Sequence, residues 1–169
     1  CAFIEAARQE AVDAIENACQ YKADGSCSAV IVTGCLAQRY TKNIFKVCPS
    51  VDAVVGVDQL DELPQIISDI MAKKASAFCS IKSGLPTRLF EPLDEGFVFT
   101  GGPYAYLKLG EGCMHACAFC AIPGIRGKLR SRKPAAIIEE ARQLIKRGYK
   151  ELNIVAQDIS SYGEDFKDG

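Results

Sequence analysis

An α/β fold is predicted from the order of the elements along the chain. Between residues 4 and 73, three stretches with apolar residues at helical spacing alternate with two short runs rich in β-branched residues. A strand–loop–helix–strand unit follows between residues 104 and 156. Helices that alternate with short buried strands are typical of an α/β layer with a parallel sheet. The sequence therefore predicts an α/β protein with parallel strands in both parts.

The first part, residues 1–73, contains five predicted elements. The helices lie at residues 4–21, 36–47 and 61–73, and the strands lie at residues 29–32 and 53–57. Asp24-Gly25-Ser26 ends the first helix, and Pro49 stops the second because proline cannot continue a helix. Asp61 is predicted to cap the third helix with its carboxylate.

The second part is separated from the first by a predicted linker at residues 74–102. Periodicity is lost there and glycine and proline recur, with room for a short strand near residues 97–100. The elements that follow are a strand at 104–109, a helix from Pro134 to about Arg147, and a strand at 152–156. Proline is favoured in the first turn of a helix, which supports that boundary. Residues 103–169 are therefore the second predicted domain.

The composition narrows the class of protein. Hydrophobic residues make up 49% of the 169 residues and charged residues 24%, which is ordinary for a soluble globular protein. The net charge of −1 gives no overall attraction to nucleic acid or to a membrane surface. The most apolar stretch, residues 28–37, is too short to span a bilayer, and no signal peptide opens the chain. We expect a cytoplasmic protein with no membrane partner and, since Cys1 stands where Met would, a fragment cut at both ends.

The nine cysteines are the unusual feature of this composition. Their number is odd, and Cys113, Cys117 and Cys120 fall within eight residues, so complete pairing into disulfides is a poor interpretation. Three closely spaced thiolates can each ligate one iron of a 4Fe–4S cluster, which leaves the fourth iron open for a ligand. A structural zinc site with His115 as the fourth ligand is the alternative. His115 lies inside the loop, however, where its position would strain a tetrahedral cage.

The spacing C-x3-C-x2-C, with Phe119 before the last cysteine, resembles the radical S-adenosylmethionine (SAM) superfamily. The resemblance implies that SAM chelates the open iron through its amino and carboxylate groups and is cleaved to a 5′-deoxyadenosyl radical. It also implies that Phe119 packs near the adenine of SAM. The second part would then be the start of a partial β/α barrel.

Further motifs are similar to those of the methylthiotransferases, radical SAM enzymes that insert sulfur into a C–H bond and then methylate it. The matching segments are residues 106–108, 111–113, 121–123 and 126–132. In this family a flavodoxin-like amino-terminal layer holds a second, auxiliary 4Fe–4S cluster through three cysteines. Cys1 and Cys35 match two of these ligands, and the third would lie upstream of the present start. The resemblance implies two 4Fe–4S clusters, SAM, and an electron donor and a sulfur donor as partners.

Two branches of this family differ in substrate. One adds the methylthio group to the β-carbon of an aspartate in ribosomal protein S-twelve, and the other modifies an adenosine of tRNA. Ala156-Gln157-Asp158, followed by two small polar residues and Tyr162-Gly163, resembles the first branch. Gln157 and Asp158 follow a strand, where a barrel of this kind presents residues to its ligand. The sequence thus favours ribosomal protein S-twelve as substrate, with tRNA as the alternative.

A run of alternating basic residues bears on the same choice. If this segment is extended, its side chains point the same way and form a stripe that could contact RNA phosphates. The run consists of Arg126, Lys128, Arg130 and Arg132. Such a run is more often a solvated face or a positioning loop, so it is weak support for tRNA.

The other cysteines have ordinary interpretations. Cys19 lies on the apolar face of the first helix and is predicted to be part of the core. Cys27, Cys48 and Cys79 match no ligand of the family. Without the resemblance, a single cysteine near a strand, such as Cys35, is more often a small buried apolar residue than a ligand.

Overall fold

The computed structural model describes residues 2–72, 78–81, 84–89 and 102–166. The elements of the first part are α1 (Glu5–Ala23), β1 (Ile31–Thr33), α2 (Cys35–Val47), β2 (Ala53–Val55), a 3-10 turn (Leu60–Glu62), α3 (Leu63–Met71) and β3 (Phe78–Ser80). Those of the second part are β4 (Tyr104–Lys108), β5 (Gly110–Glu111), α4 (Ile122–Arg126), β6 (Arg130–Ser131), α5 (Pro134–Lys146) and β7 (Glu151–Val155). The predicted α/β class is confirmed.

The first part is a parallel sheet in the order β1-β2-β3, covered by helices on both faces. The central strand β2 is fully buried, and its side chains alternate between two core clusters. Val54 packs with residues of α1 and α2, including Ile15 and Ile44, whereas Val55 packs with Ile66 of α3. A strand buried on both faces reads as a continuous apolar run, which explains why the sequence predicted it correctly.

Two features of the first part differ from the sequence-based expectation. Residues 74–102 were predicted to form a linker, but Phe78–Ser80 joins the sheet as β3, parallel to β2. The strand expected near residues 97–100 lies outside the described residues. The predicted capping role of Asp61 is wrong, because α3 begins at Leu63 and no side chain caps it. Asp61 lies in the 3-10 turn instead and forms an ion pair with Arg88.

The second part is built on the predicted strand–helix–strand unit. Strands β4 and β7 pair in parallel, and α5 packs on them through buried side chains that include Leu107, Ile137 and Leu144. Helix α5 starts at Pro134, and Gly148 follows its end with φ of 98°, a conformation that favours glycine. The helix and both strands of this unit therefore agree with the sequence within a residue or two.

Helix α4 joins the two parts of the fold. It lies between the cysteine loop and β6, and it packs against α2 of the first part. Its Ile125 is 3% exposed and belongs to the same core cluster as Leu36 and Ala37 of α2. Within the described ranges, no helix combines the length and the apolar character needed to cross a membrane.

Candidate functional site

The cysteine loop lies at the carboxyl end of β4, between β5 and α4. Cys113 and Cys120 are half-buried, whereas Cys117 is exposed. The Cys113 N–H donates to the carbonyl of Gly127 at 3.2 Å, and the Cys120 N–H donates to the carbonyl of Cys117 at 3.0 Å. Because β4 and β7 are parallel, their carboxyl ends meet at the same edge of the sheet, and the loop starts there.

Backbone contact with the segment before β6 fixes the start of the loop. Gly112, directly before Cys113, has φ of 77°, and a Cβ atom at this position would lie 2.1 Å from the carbonyl oxygen of Lys128. Only glycine can adopt this conformation at this distance without strain. The antiparallel pair of β5 and β6 continues the same contact through Gly110 and Ser131. The first cysteine is therefore positioned by backbone geometry.

Gln157 and Asp158, which follow β7, contact the cysteine loop. The side-chain Oε1 of Gln157 accepts a hydrogen bond from the Gly112 N–H at 2.8 Å. Asp158 Oδ2 lies 3.1 Å from His115 Nε2 and 3.7 Å from Cys113 Sγ. Both residues lie just after β7, and their side chains contact the loop that carries the cysteines. That they also face a ligand of the barrel stays a prediction.

The charges at the start of the loop depend on these contacts. Burial raises the pKa of the Cys113 thiol, and a hydrogen bond from the His115 N–H partly offsets this effect. The hydrogen bonds from Ser160 and then Ser161 lower the pKa of Asp158 to about 2, so its carboxylate is ionised at neutral pH. The raised pKa of Cys113 favours its thiol over its thiolate, and a metal centre that binds there must displace the proton.

The donors of this loop fit an iron–sulfur cluster. In the described part of the chain, no three His, Cys, Asp or Glu side chains converge on a point where one metal ion could bind. A 4Fe–4S cluster does not require such convergence, since each thiolate ligates a different iron. The Nε2 atom of His115 lies 3.1 Å from Asp158 Oδ2, which leaves only Nδ1 of this residue for a metal ion.

Two apolar side chains of the loop are open to a ligand. Phe119 is 83% exposed and Met114 is 48% exposed. Exposed apolar groups beside a metal-binding loop offer a surface on which an aromatic ring can stack. Phe119 as a contact of the SAM adenine stays a prediction.

Cys35, a predicted ligand of the auxiliary cluster, is the first residue of α2 and is half-buried. The guanidinium Nε of Arg126 lies 3.3 Å from its Sγ atom. Cys1, its predicted partner, lies outside the described residues. The auxiliary cluster therefore stays a prediction.

The positions of the remaining cysteines agree with their interpretation as residues that are not metal ligands. Cys19 and Cys48 contribute to the core of the first part, and burial raises the pKa of both thiols. Cys27 packs against the same core, and Cys79 is exposed on β3. In the part of the chain that the structure describes, all cysteines are free thiols.

The basic run does not form the common stripe that an extended segment would give. Arg126 ends α4, and Lys128 is exposed. Arg130 donates to the carbonyls of Pro86 and Arg88 at 3.0 Å each, and Arg132 is 1% exposed and paired with Glu140 at 2.6 Å. Three of the four cations thus make contacts within the protein, so they do not form a common surface for RNA phosphates.

Helix α4 was missed by the sequence analysis, as was the contact of its Arg126 with Cys35, although a signal for the helix was present. Pro123 lies in the first turn of α4, and Gly127 follows its last residue with φ of 77°. Proline at the start and glycine just past the end are the usual boundary signals of a helix. The helix is only five residues long, so its apolar periodicity carries no information.

Comparison with known proteins gives one family match in each part of the chain. The family model described as the radical SAM superfamily matches residues 107–168, which include the cysteine loop and Gln157. A second family model, described as uncharacterized protein family UPF0004, matches residues 1–56, which include Cys35.

The chain is also similar over nearly its whole length to proteins named ribosomal protein uS12 methylthiotransferase RimO. It is 40% identical to the one from Pelobacter propionicus, over 100% of this chain and 37% of that protein. It is 45% identical to the one from Acetivibrio thermocellus, over 98% of this chain and 37% of that protein. The chain thus spans about 37% of the length of these curated relatives. Together with the cysteine loop, these matches show that residues 107–168 are similar to the radical SAM superfamily and that the chain is similar along its length to methylthiotransferases named RimO.

Proposed function

We propose that the full-length protein is a methylthiotransferase that adds a methylthio group to the β-carbon of an aspartate in ribosomal protein S-twelve. The observation that carries the proposal is the C-x3-C-x2-C loop at the carboxyl end of β4, held by Gly112 and Gln157. The names of the relatives support the choice of substrate. A ribosomal substrate would place the reaction in the cytoplasm.

Cys113, Cys117 and Cys120 would hold one 4Fe–4S cluster, which keeps an iron open for SAM. When bound, the cluster and SAM supply the radical chemistry, while an electron donor and a sulfur donor act as partners. The protein itself orients these groups. Gln157 fixes the backbone next to Cys113, and Phe119 offers an apolar surface for the adenine.

Cys35 and Cys1 would hold the auxiliary 4Fe–4S cluster together with a ligand upstream. One contact and one helical spacing support this assignment. Ala2, the neighbour of Cys1, is 2% exposed, and its carbonyl accepts a hydrogen bond at 2.6 Å from Arg39 of α2. Cys35 and Arg39 are four residues apart on the same helix and so lie on one face of it.

Replacing Cys35 by alanine in the full-length protein is expected to lower the iron content by about one cluster, or about four irons per chain. The loss follows because a cluster with one thiolate fewer is held less tightly. Iron analysis after anaerobic reconstitution checks this, and SAM cleavage should survive. Cys27→Ala, which removes a half-buried cysteine that matches no ligand, is the control. Equal iron content in the two variants would show that Cys35 is only a core residue.

The substrate is tested by incubating the full-length protein with SAM, a reductant and a sulfide source. Ribosomal protein S-twelve and hypomodified tRNA are offered in separate reactions, and reactions without SAM are the control. We expect an aspartate of S-twelve to gain the mass of one methylthio group in place of one hydrogen. The same group on an adenosine of tRNA, with S-twelve unchanged, would contradict the proposal. Mass spectrometry of peptides and nucleosides distinguishes the two outcomes.

A further inference from the structure

We infer that Arg126 is a positioning residue that connects the two cysteine sites, an inference that rests on the proposed auxiliary cluster at Cys35. Its guanidinium contacts both sites at once. The Nε atom lies 3.3 Å from Cys35 Sγ, and Nη1 lies 3.4 Å from the Oε2 atom of Glu111. Glu111 is two residues before Cys113, with Gly112 between them. One side chain therefore links the start of α2 to the start of the cysteine loop.

The fold holds Arg126 firmly between these partners. It is the last residue of α4, the helix that follows Cys120, and its neighbour Ile125 is buried in the core of the first part. The carbonyl of Arg126 also accepts a hydrogen bond from Arg130 Nη2 at 2.9 Å. The backbone of Arg126 is therefore anchored on both sides, which fixes the point from which its side chain reaches Cys35 and Glu111.

The contact between Arg126 and Glu111 is an ion pair. The Glu111 side chain is 7% exposed and forms ion pairs with Lys108 and Arg126, so its buried carboxylate is compensated by two cations. The planar guanidinium carries several N–H donors, so it can donate hydrogen bonds to a carboxylate and a sulfur atom at the same time. The ammonium group of lysine is a compact point charge and lacks this fork of donors. We therefore assign the joint orientation of Cys35 and Glu111 to the guanidinium group.

The link has an electronic consequence for a cluster bound at Cys35. Hydrogen bonds to the sulfur atoms and the local net charge set the reduction potential of an iron–sulfur cluster. A cationic donor next to a ligating sulfur favours the reduced, more negative cluster. Loss of this donor is therefore expected to lower the reduction potential of the auxiliary cluster.

The structural part is tested on the metal-free full-length protein by hydrogen exchange. Arg126→Gln is expected to speed amide exchange about fivefold both at the start of α2, where the Gln38 N–H donates to the Gly34 carbonyl, and in residues 110–113, since a hydrogen bond to a charged group is lost. Arg142→Gln, which removes a 73% exposed arginine of α5, is the matched control and should change neither segment. Equal exchange in the two variants would overturn the inference.

The electronic part is tested in a full-length protein with Cys113, Cys117 and Cys120 replaced by alanine, which isolates the auxiliary cluster. A redox titration followed by electron paramagnetic resonance should give a lower potential for Arg126→Gln than for Arg142→Gln. Arg126→Lys keeps the charge and should restore the potential but not the slow exchange at both segments. An unchanged potential in Arg126→Gln would overturn the electronic role. If the protein binds no second cluster, the proposed cluster is wrong, while the exchange experiment still decides whether Arg126 links the two sites.

Discussion

Replacing Cys117 by alanine is expected to remove the SAM-binding cluster and all SAM cleavage. Three thiolates are the complete protein ligand set of such a cluster, so two of them leave a second iron without a ligand. Cys117 is exposed, so the substitution takes no packing from the core. Anaerobically reconstituted protein should lose about four irons per chain together with the broad charge-transfer absorption of the cluster. Release of 5′-deoxyadenosine should fall to background.

The control for this experiment is Cys79→Ala. Cys79 is also exposed but lies on β3, away from the cysteine loop in sequence, and matches no ligand of the family. It should keep both the iron and the absorption of the unmodified protein. A colourless Cys79→Ala protein that retains stoichiometric zinc, with the zinc lost in Cys117→Ala, would contradict the cluster and favour a structural metal module.

Replacing Gly112 by alanine is expected to lower the free energy of unfolding by about 3 kcal/mol or more. Two costs add: the positive φ of 77° disfavours any residue with a side chain, and the new Cβ would overlap the backbone of Lys128 at 2.1 Å. A backbone carbonyl cannot rotate away as a flexible side chain can. Relief of the overlap would separate Gly112 from the 127–128 segment and shift Cys113, so cluster assembly should fall as well. Chemical denaturation and iron analysis measure the two effects.

Gly124→Ala is the matched control, because a Cβ at Gly124 would meet no atom within 4 Å. Gly124 lies within α4, where alanine is the better helix former, so stability should change by less than about 1 kcal/mol and in the favourable direction. Equal losses in the two variants would show that the close approach at Gly112 does not position the loop.

The sequence alone predicted the elements whose signal is local. Val54 and Val55 lie in a short run rich in β-branched residues, and Pro134 and Gly148 bound a periodic helix, so the pattern of neighbouring residues identified both elements. The cysteine spacing likewise predicted an iron–sulfur centre, because three thiolates within eight residues can ligate one cluster from one loop. Strand β3 was missed since a strand of three residues within a stretch without periodicity has no such signal.

Only the tertiary structure decided which polar side chains meet. Gln157 contacts the amide of Gly112, 45 residues away, and Arg126 contacts Cys35, 91 residues away. The alternating cations looked like one stripe, yet α4 ends at Arg126 and Arg132 turns inward to Glu140. Hydrophobic periodicity reports which face of an element is buried, and it does so from neighbouring residues alone. The partner of a buried charge depends on the packing of elements distant in sequence, and this packing places Arg126 between Cys35 and Glu111.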